Sequence, residues 1–341
     1  MHPVSVLWKT AVQTHLGSCL SDRQMEEEQQ HQDGIIRQNF IVWQQKKVRM
    51  PRLSTENAFS KEIKQKAIDL IKKDLGKVDL VVYSLAAPRR TDNEGRTWSS
   101  CLKTTGEAFT EKSLDLRNNQ ITEKTVGPAT EEEVLSTVKV MGGEDWADWI
   151  DVLKEADVLT ENVVTVAYSY IGPELTYPIY YHGTIGTAKQ HLQKTMFDIN
   201  QAHPDVRAVI SVNKGLVTQA SAAIPVVPLY FAILYKVMKK AGTHENCIQQ
   251  IARLFTQKLY TPTGFQTDET GFIRMDDYEL TPEIQEKVKK CWKAVTTDTV
   301  NEYCDIDGYW EDFYHMFGFH YEDIDYTQDV DADVEIDGIV M

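Results

Sequence analysis

The sequence lacks the features that mark membrane, secreted and nucleic-acid-binding proteins. Its longest apolar run, at 222–235, contains Pro225 and Pro228 and is shorter than the about 20 residues that a membrane-spanning helix needs. No basic region followed by an apolar stretch of signal-peptide length opens the chain. No stripe of Lys and Arg interrupts a formal net charge of -15, which repels phosphate backbones. These absences predict a soluble protein with no stable membrane insertion and no nucleic acid partner.

Closely spaced cysteines and metal-binding histidines are also missing. The five cysteines are widely scattered, with no Cys-x-x-Cys pair and no dense framework of the kind found in small secreted folds. They are Cys19, Cys101, Cys247, Cys291 and Cys304. His182, His191 and His203 do not have the spacing of metal ligands. We therefore expect ordinary thiols in a reducing compartment, the cytoplasm or an organelle such as the mitochondrion, and no metal site.

What is present is enough apolar sequence for a large core, because 42% of 341 residues are hydrophobic. Residues 1–56 differ from the rest, since they include the polar stretch MEEEQQHQ at 25–32. This composition favours a divergent, poorly ordered N-terminal segment. The remaining residues, 57–341, are expected to form one folded unit with an acidic C-terminal tail.

Helix and strand patterns alternate from Ser60 onwards. Ser60 is a candidate N-cap for an amphipathic helix, and continuous apolar runs at 78–88, 162–173 and 206–213 are typical of strands buried on both faces. Helices are predicted between them, one opened by a capping box at Thr130 and another over 183–200, while 89–127 reads as a loop or small hairpin. The alternation predicts an α/β fold with a doubly wound, Rossmann-like parallel sheet and helices on both faces.

Unusual residues follow the ends of the three predicted strands, at 83–86, 168–173 and 213–218. Ligands of doubly wound sheets bind at these carboxyl ends, so we expect the three segments to converge on one crevice. Tyr180 and Lys189 come just after the middle strand, and an ammonium beside a phenol lowers the phenol pKa toward neutrality. Nine residues are too many for the pair to share one face of a straight helix, so Tyr180 must precede the helix, with Gly183 permitting a bend. The alternative is that the tyrosines only fill space in the core.

The stretch YIGPELTYPIYYHGTIGTAK at 170–189 resembles the signature of the trans-2-enoyl-CoA reductase / FabV-type enoyl-ACP reductase family, within the short-chain-dehydrogenase superfamily. Further stretches resemble the same family in the same order. They are NAFSKEIK at 57–64, VVYSLAAP at 81–88, TVKVMGGEDW at 137–146, SVNKGLVTQASAAIPVVPLY at 211–230 and DIDGYWEDF at 305–313. The resemblance runs from about Asn57 to near Asp329 and assigns 57–341 to an enoyl reductase catalytic domain.

The resemblance implies an activity and roles for residues. The family uses NADH to reduce the 2,3 double bond of trans-2-enoyl-CoA or enoyl-ACP thioesters in fatty acid synthesis, and the chain would be a monomer or homodimer. Tyr180 would be the catalytic proton donor and oxyanion stabiliser, Lys189 would hold the cofactor ribose and support the tyrosine, and Tyr170 would contact the substrate. The residues implied in cofactor binding are Asn57, Ala58, Leu85, Ala86, Lys189, Leu216, Val217 and Thr218.

Two segments keep alternative interpretations. The apolar stretch 222–238 either covers the acyl chain, as the corresponding helix does in related enoyl reductases, or is simply core. Lys214, at a strand end, either binds CoA phosphate or the cofactor, or is a solvated lysine in a turn.

The N-terminal part departs from the family, which opens with a strand, a glycine-rich turn and a helix that bind the dinucleotide. Residues 1–56 contain only Gly17 and Gly34, and neither lies in a glycine-rich pattern after an apolar strand. The first βα unit is therefore expected to be missing or replaced, which would leave the next strand with an unpaired edge. Two alternatives follow: an incomplete version of an active enzyme, or a degenerate homologue that binds acyl-CoA without turnover.

Overall fold

The computed structural model describes residues Val6–Leu7, 57–85 and 87–329. The segment 1–56 is predicted to be poorly ordered and to lack the glycine-rich βα unit. It lies outside the described residues, apart from the backbone of Val6–Leu7. Ala86 and the acidic residues after 329 also lie outside them.

Strands and helices alternate through the described part of the chain. The strands are β1 Val6–Leu7, β2 Val78–Tyr83, β3 Arg89–Thr91, β4 Thr97–Ser99, β5 Phe109–Asp115, β6 Gln120–Val126, β7 Leu159–Ser169, β8 Val206–Val212 and β9 Phe272–Arg274. The helices are α1 Lys61–Asp74, α2 Glu131–Met141, α3 Glu144–Glu155, α4 Thr184–Ala202, α5 Gln219–Ala223, α6 Val227–Ala241, α7 Cys247–Arg253, α8 Pro282–Ala294, α9 Val300–Tyr303 and α10 Ile306–His315. A π-helical stretch, Leu254–Leu259, continues α7.

Local capping chemistry starts two of the helices where the sequence predicts. The Ser60 hydroxyl accepts a hydrogen bond from the Ile63 N–H and so caps α1. Thr130 and Glu133 form both bonds of a capping box at the start of α2. The segment 89–127, expected as a loop or small hairpin, forms two antiparallel hairpins, β3–β4 and β5–β6.

The central sheet has five strands in the order β1-β2-β7-β8-β9, and every neighbouring pair is parallel. One face packs on α1, α3 and α4, where Trp146 is fully buried and donates its indole N–H to the Thr165 hydroxyl at 2.9 Å. The other face packs on α7 and its π-helical extension through Ile251, Leu254 and Leu259. The predicted doubly wound sheet with helices on both faces is therefore confirmed.

One expectation about the sheet edge is wrong. Loss of a first βα unit predicted an unpaired edge on β2, whereas Val6 and Leu7 pair in parallel with Leu80 and Val81. Strand pairing requires only backbone amides and carbonyls in register, so a short segment can supply it without a glycine-rich turn. The edge of β2 is thus covered at these two positions.

A second core lies around α6. Most side chains of this helix are buried on all sides, from Val227 to Met238, and they pack against α8, α10 and β5. Of the two interpretations of 222–238, the structure therefore supports core for α6. No helix in the described ranges is long and apolar enough to cross a bilayer.

Candidate active site

The turn between β7 and α4 carries Tyr180, which precedes the helix as its spacing from Lys189 predicts. Gly183 allows close packing at this turn. A Cβ on Gly183 would lie 2.5 Å from the Ile179 carbonyl oxygen, although its φ of -121° is open to any residue. A Cβ on Gly186 would lie 2.4 Å from the Tyr180 carbonyl oxygen. Gly183 is therefore needed for space and not for a bend that only glycine can adopt, which corrects the predicted reason.

Residues 101–105 hold this turn in place. The buried Thr184 hydroxyl donates to the Cys101 carbonyl at 2.5 Å, and the Thr184 N–H donates to the Lys103 carbonyl at 2.9 Å. Further along, the Thr105 N–H and hydroxyl donate to the His182 carbonyl at 3.1 and 2.7 Å. Sequence reasoning missed these contacts, because they join residues about 80 positions apart and no local pattern marks them.

Tyr180 is a buried phenol with 9% of its surface exposed. Its ring meets the Tyr170 ring edge to face, with centroids 5.1 Å apart and planes at 85°. Burial raises the pKa of Tyr180 above its ordinary value. Its hydroxyl has no hydrogen-bond partner among the described residues. The predicted lowering of the phenol pKa by Lys189 is wrong, since loss of water around the phenol raises the pKa and neither Lys189 nor another described cation offsets this effect.

Lys189 lies in a small cleft of about 100 Å³ at the carboxyl ends of β2 and β7. Its Nζ donates to the Tyr168 carbonyl at 3.2 Å, and burial lowers the pKa of Lys189 to about 8. The cleft is lined by Tyr83, Ser84, Leu85, Met141, Tyr168, Lys189 and Leu192. The predicted crevice is therefore confirmed for the first two of the three segments, which reach it through Leu85 and Tyr168. No residue of 213–218 lines it, because Lys214 and Val217 are buried beside α6.

Tyr180 is not among the residues that line this cleft and instead belongs to the apolar cluster around α6. The two residues are connected through one segment at the end of β7. Lys189 bonds the Tyr168 carbonyl, and Tyr180 packs on the ring of Tyr170 two positions later. The structure thus brings both side chains to the same strand end without placing them in direct contact.

The loop between β8 and α5 contains Leu216, Val217 and Thr218. Val217 is buried in the same cluster as Tyr180, and its N–H donates to the Tyr235 hydroxyl at 3.0 Å. Thr218 is exposed and caps α5. This loop therefore lies beside the cluster that contains Tyr180, while its predicted contact with the cofactor stays a prediction.

Asn57 and Ala58 lie just before α1. The Asn57 side-chain oxygen accepts a hydrogen bond from the Phe59 N–H at 3.1 Å, and Ala58 packs against the core cluster on one face of the sheet. Neither residue is among those lining the cleft at Lys189. Ala86 falls outside the described residues. The cofactor roles of all three stay predictions.

Lys214 and Glu279 are buried ionisable residues next to the β8–α5 loop, where both bond Gly215. Lys214 is 1% exposed, so its interpretation as a solvated lysine is wrong. Glu279 is fully buried and accepts a hydrogen bond from the Tyr170 hydroxyl at 3.2 Å. Sequence reasoning missed Glu279, which is 109 positions from Tyr170 in a segment without a distinctive motif.

Two protein-family models match consecutive parts of the chain. Residues 38–260 match the trans-2-enoyl-CoA reductase catalytic region, and residues 267–330 match the enoyl reductase FAD binding domain.

Curated relatives are about half identical in sequence. The trans-2-enoyl-CoA reductase (NADH) of Ruminiclostridium cellulolyticum is 50% identical over 286 residues, which cover 83% of this chain and 72% of that protein. The enoyl-(acyl-carrier-protein) reductase (NADH) of Flavobacterium johnsoniae is 51% identical, with the same two coverages.

Solved structures with similar folds include two enzymes with a bound nucleotide. Clostridium acetobutulicum trans-2-enoyl-CoA reductase in complex with NAD has a TM-score of 0.81 and 43% identity, covering 88% of this chain and 77% of the other. Treponema denticola trans-2-enoyl-CoA reductase in complex with NAD has a TM-score of 0.78 and 47% identity, covering 81% and 69%.

Proposed function

This chain belongs to the trans-2-enoyl-CoA reductase family, and on that premise we propose that it uses NADH to reduce the 2,3 double bond of trans-2-enoyl thioesters in fatty acid synthesis. Relatives with nearly equal identity are named for CoA and for acyl-carrier-protein substrates. The proposed substrate class is therefore the enoyl thioester, carried by either group.

The observation that carries the proposal is the environment of the Tyr180 hydroxyl. Because burial raises its pKa, this phenol stays protonated at neutral pH and keeps its O–H. The neighbouring Tyr170 hydroxyl is already bonded to Glu279, whereas the Tyr180 hydroxyl has no partner in the described part of the chain. Tyr180 is thus the phenol of this pair that is available to a ligand.

NADH, when bound, supplies the hydride that reaches the β-carbon of the substrate. Negative charge then gathers on the thioester oxygen, and a preorganised donor in a dry site stabilises such charge most effectively. We assign this role to the Tyr180 hydroxyl. Uptake of a proton at the α-carbon completes the saturation.

The cleft at Lys189 fits part of a dinucleotide. It lies where parallel strands end, which is the usual binding place in doubly wound sheets. Its about 100 Å³ is below the roughly 300 Å³ of a typical ligand pocket, so it matches one portion of the cofactor. Lys189 would hold the ribose there beside Leu85, and Leu216, Val217 and Thr218 would contact the cofactor from the next loop. Asn57, Ala58 and Ala86 complete the proposed set.

A flavin does not fit the residues at 267–330. Most of their buried apolar side chains pack in the cluster around α6, and Ile273 and Met275 pack on the central sheet. Their buried polar groups include the carboxylates of Asp276 and Glu279. Both carboxylates already accept bonds from protein groups. Buried carboxylates oppose the anionic pyrophosphate of a flavin dinucleotide, so no step is assigned to one.

We also propose that 57–341 act as one catalytic unit, because β9 from the second matched region pairs with β8 from the first.

The proposed oligomeric state is a monomer or a homodimer. The four described cysteines are unpaired, which supports work in a reducing compartment such as the cytoplasm.

The test is loss of nicotinamide absorbance when the purified protein is mixed with NADH and either crotonyl-CoA or crotonyl acyl-carrier protein. We expect turnover with at least one of the two thioesters. Binding of both thioesters without turnover would instead support a homologue that keeps an acyl pocket and has lost the reaction.

A further inference from the structure

Gly215, in the loop after β8, is held by two buried charged side chains of opposite sign. Its N–H donates to Glu279 Oε2 at 2.5 Å, and its carbonyl accepts from Lys214 Nζ at 2.9 Å. Glu279 and Lys214 are 0% and 1% exposed. We call these three residues the Gly215 clamp. Both polar backbone groups of one residue are thus fixed by charge-assisted bonds in a dry environment.

The loop packs so closely against α6 at Gly215 that no side chain would fit at this position. A Cβ at this position would lie 2.5 Å from the Phe231 ring of α6. Two residues later, the Val217 N–H donates to the Tyr235 hydroxyl, and the Lys214 ammonium lies 5.1 Å from the centre of the Tyr235 ring. Helix α6 therefore contacts the loop through Phe231 and Tyr235, while the Gly215 clamp fixes the loop backbone.

The same carboxylate reaches the other half of the site. Glu279 Oε1 accepts from the Tyr230 hydroxyl at 2.6 Å and from the Tyr170 hydroxyl at 3.2 Å. The Tyr170 ring in turn packs edge to face on Tyr180. One side chain is therefore bonded both to the loop proposed to contact the cofactor and to the tyrosine that packs on the proposed catalytic phenol.

Stability alone gives a weak reason for these charges. Burial raises the pKa of Glu279 and lowers the pKa of Lys214 to about 8, so each charge is costly where it lies. Well-packed apolar residues commonly serve a buried position as well as a charge pair does. What apolar residues cannot do is fix a backbone N–H, a backbone carbonyl and a phenol in one arrangement.

We propose that Glu279 and Lys214 are positioning residues, which orient the 215–218 loop and Tyr170 so that cofactor and Tyr180 meet the substrate in a fixed geometry. This inference rests on the proposed function. It gives the matched region at 267–330 a part in the reaction, through one side chain that touches neither substrate nor cofactor.

The test compares Glu279→Gln with Asp276→Asn. Asp276 is another buried carboxylate of the same segment, 1% exposed, but it bonds Arg274 and not Gly215. Both variants remove a buried negative charge. Only Glu279→Gln disturbs the clamp, because an amide has a single acceptor oxygen and cannot accept from the Gly215 N–H on one side and from the Tyr230 and Tyr170 hydroxyls on the other, and it also removes the charge from these bonds.

For Glu279→Gln we expect kcat to fall about 10- to 100-fold, as misplacement of reacting groups does, with the KM for crotonyl-CoA within about threefold. Its NADH dissociation constant should rise, and hydrogen–deuterium exchange of the peptide covering 211–218 should speed up without any ligand. Asp276→Asn should lower the melting temperature by a similar amount while leaving kcat and that exchange close to wild type.

Equal kcat losses in both variants, or unchanged exchange at 211–218 in Glu279→Gln, would overturn the proposal. If Glu279→Gln does not fold, Lys214→Met tests the clamp from the carbonyl side with the same readouts. An inactive wild-type protein whose Glu279→Gln variant still shows faster exchange would remove the proposed function and leave the clamp standing.

Discussion

Tyr170 and Tyr180 are neighbouring phenols that differ in what their hydroxyls contact. Both are shifted by burial toward a higher pKa, yet one is bonded to Glu279 and the other has no bond to any described residue. The two tyrosines are therefore expected to have different roles. Tyr170 packs its ring against Tyr180, whereas the Tyr180 hydroxyl can donate a hydrogen bond to a ligand.

Replacing Tyr180 with Phe tests this assignment. The variant keeps the ring contact with Tyr170 and loses only the hydroxyl, so we expect kcat to fall about 100- to 1,000-fold, as for removal of one oxyanion donor. The KM for the thioester should change little, because the bond forms mainly in the transition state. Steady-state kinetics with NADH and crotonyl-CoA provide the measurement.

Tyr181→Phe is the matched control, since Tyr181 lies on the same turn and is 44% exposed. It should keep a rate near that of the wild type. If Tyr180→Phe keeps the wild-type rate, the hydroxyl has no part in the reaction.

Lys189 gives a pH-dependent contribution to stability. Its pKa in the folded chain is about 8, below the ordinary 10.5, so the folded state binds fewer protons than the unfolded state between these values. The burial cost is therefore fully present below pH 8 and shrinks as the pH rises from 8 to 10.5. Lys189→Met should be more stable than wild type at pH 7, by roughly 1–3 kcal/mol after allowance for partial exposure.

Urea unfolding of both proteins at pH 7 and pH 9.5 measures the difference, which should be smaller at the higher pH. A difference that grows with pH would contradict the lowered pKa. Loss of the ammonium should also weaken NADH binding in Lys189→Met at pH 7, if Lys189 holds the ribose.

The elements next to the site show how much the sequence can predict. Strands β2, β7 and β8 are apolar on both faces, and the caps of α1 and α2 are formed by residues within one turn, so local patterns were sufficient. The segment 101–105 has no such pattern. Its contacts with the turn at Tyr180 depend on the approach of two loops far apart in sequence.

Thr184→Val should weaken the attachment of that turn. The substitution removes the hydroxyl that donates to the Cys101 carbonyl, in a fully buried position. We expect the free energy of unfolding to fall by about 1–3 kcal/mol, the cost of a buried group left without its partner. Chemical denaturation followed by circular dichroism measures this loss.

Thr187→Val is the comparison, because the Thr187 hydroxyl donates to the carbonyl of Gly183, the N-cap of the same helix, and has no other hydrogen bond within the described part of the chain. Its effect should stay within about 0.5 kcal/mol. Equal losses in both variants would mean that the contact with Cys101 contributes nothing special.

The fold as a whole joins sequence-distant parts that were only partly predictable. The parallel sheet follows from its apolar strands, but β9 has three residues and leaves no recognisable pattern. The burial of Lys214 and Glu279 was equally hidden, because Lys214 stands between Asn213 and Gly215 and Glu279 follows the acidic pair Asp276 and Asp277. Their surroundings come from α6 and from each other, and these contacts exist only after the chain has folded.

The packing of α8 on α6 should contribute strongly to global stability. Trp292 is 5% exposed in this contact, and its indole N–H has no hydrogen-bond partner among the residues that the structure describes. Trp292→Ala therefore removes apolar burial without breaking a hydrogen bond of the side chain. We expect a loss of about 3–5 kcal/mol, as for other aromatic truncations in cores, measured by urea unfolding.

Lys293→Ala, one position along the same helix at an exposed site, should change stability by less than about 0.5 kcal/mol. A small effect of Trp292→Ala would show that α8 docks loosely on α6.

Strand β9 hydrogen-bonds to β8 although the two belong to different matched regions. The junction between those regions is consequently a poor place for swapping halves between homologues. A chimera joined near residue 265 would have to restore the pairing of β8 with β9 between two different parent sequences. It would also have to restore the hydrogen bond between Glu279 of one parent and Gly215 of the other. Recombination between relatives should succeed at the tip of the β5–β6 hairpin sooner than there.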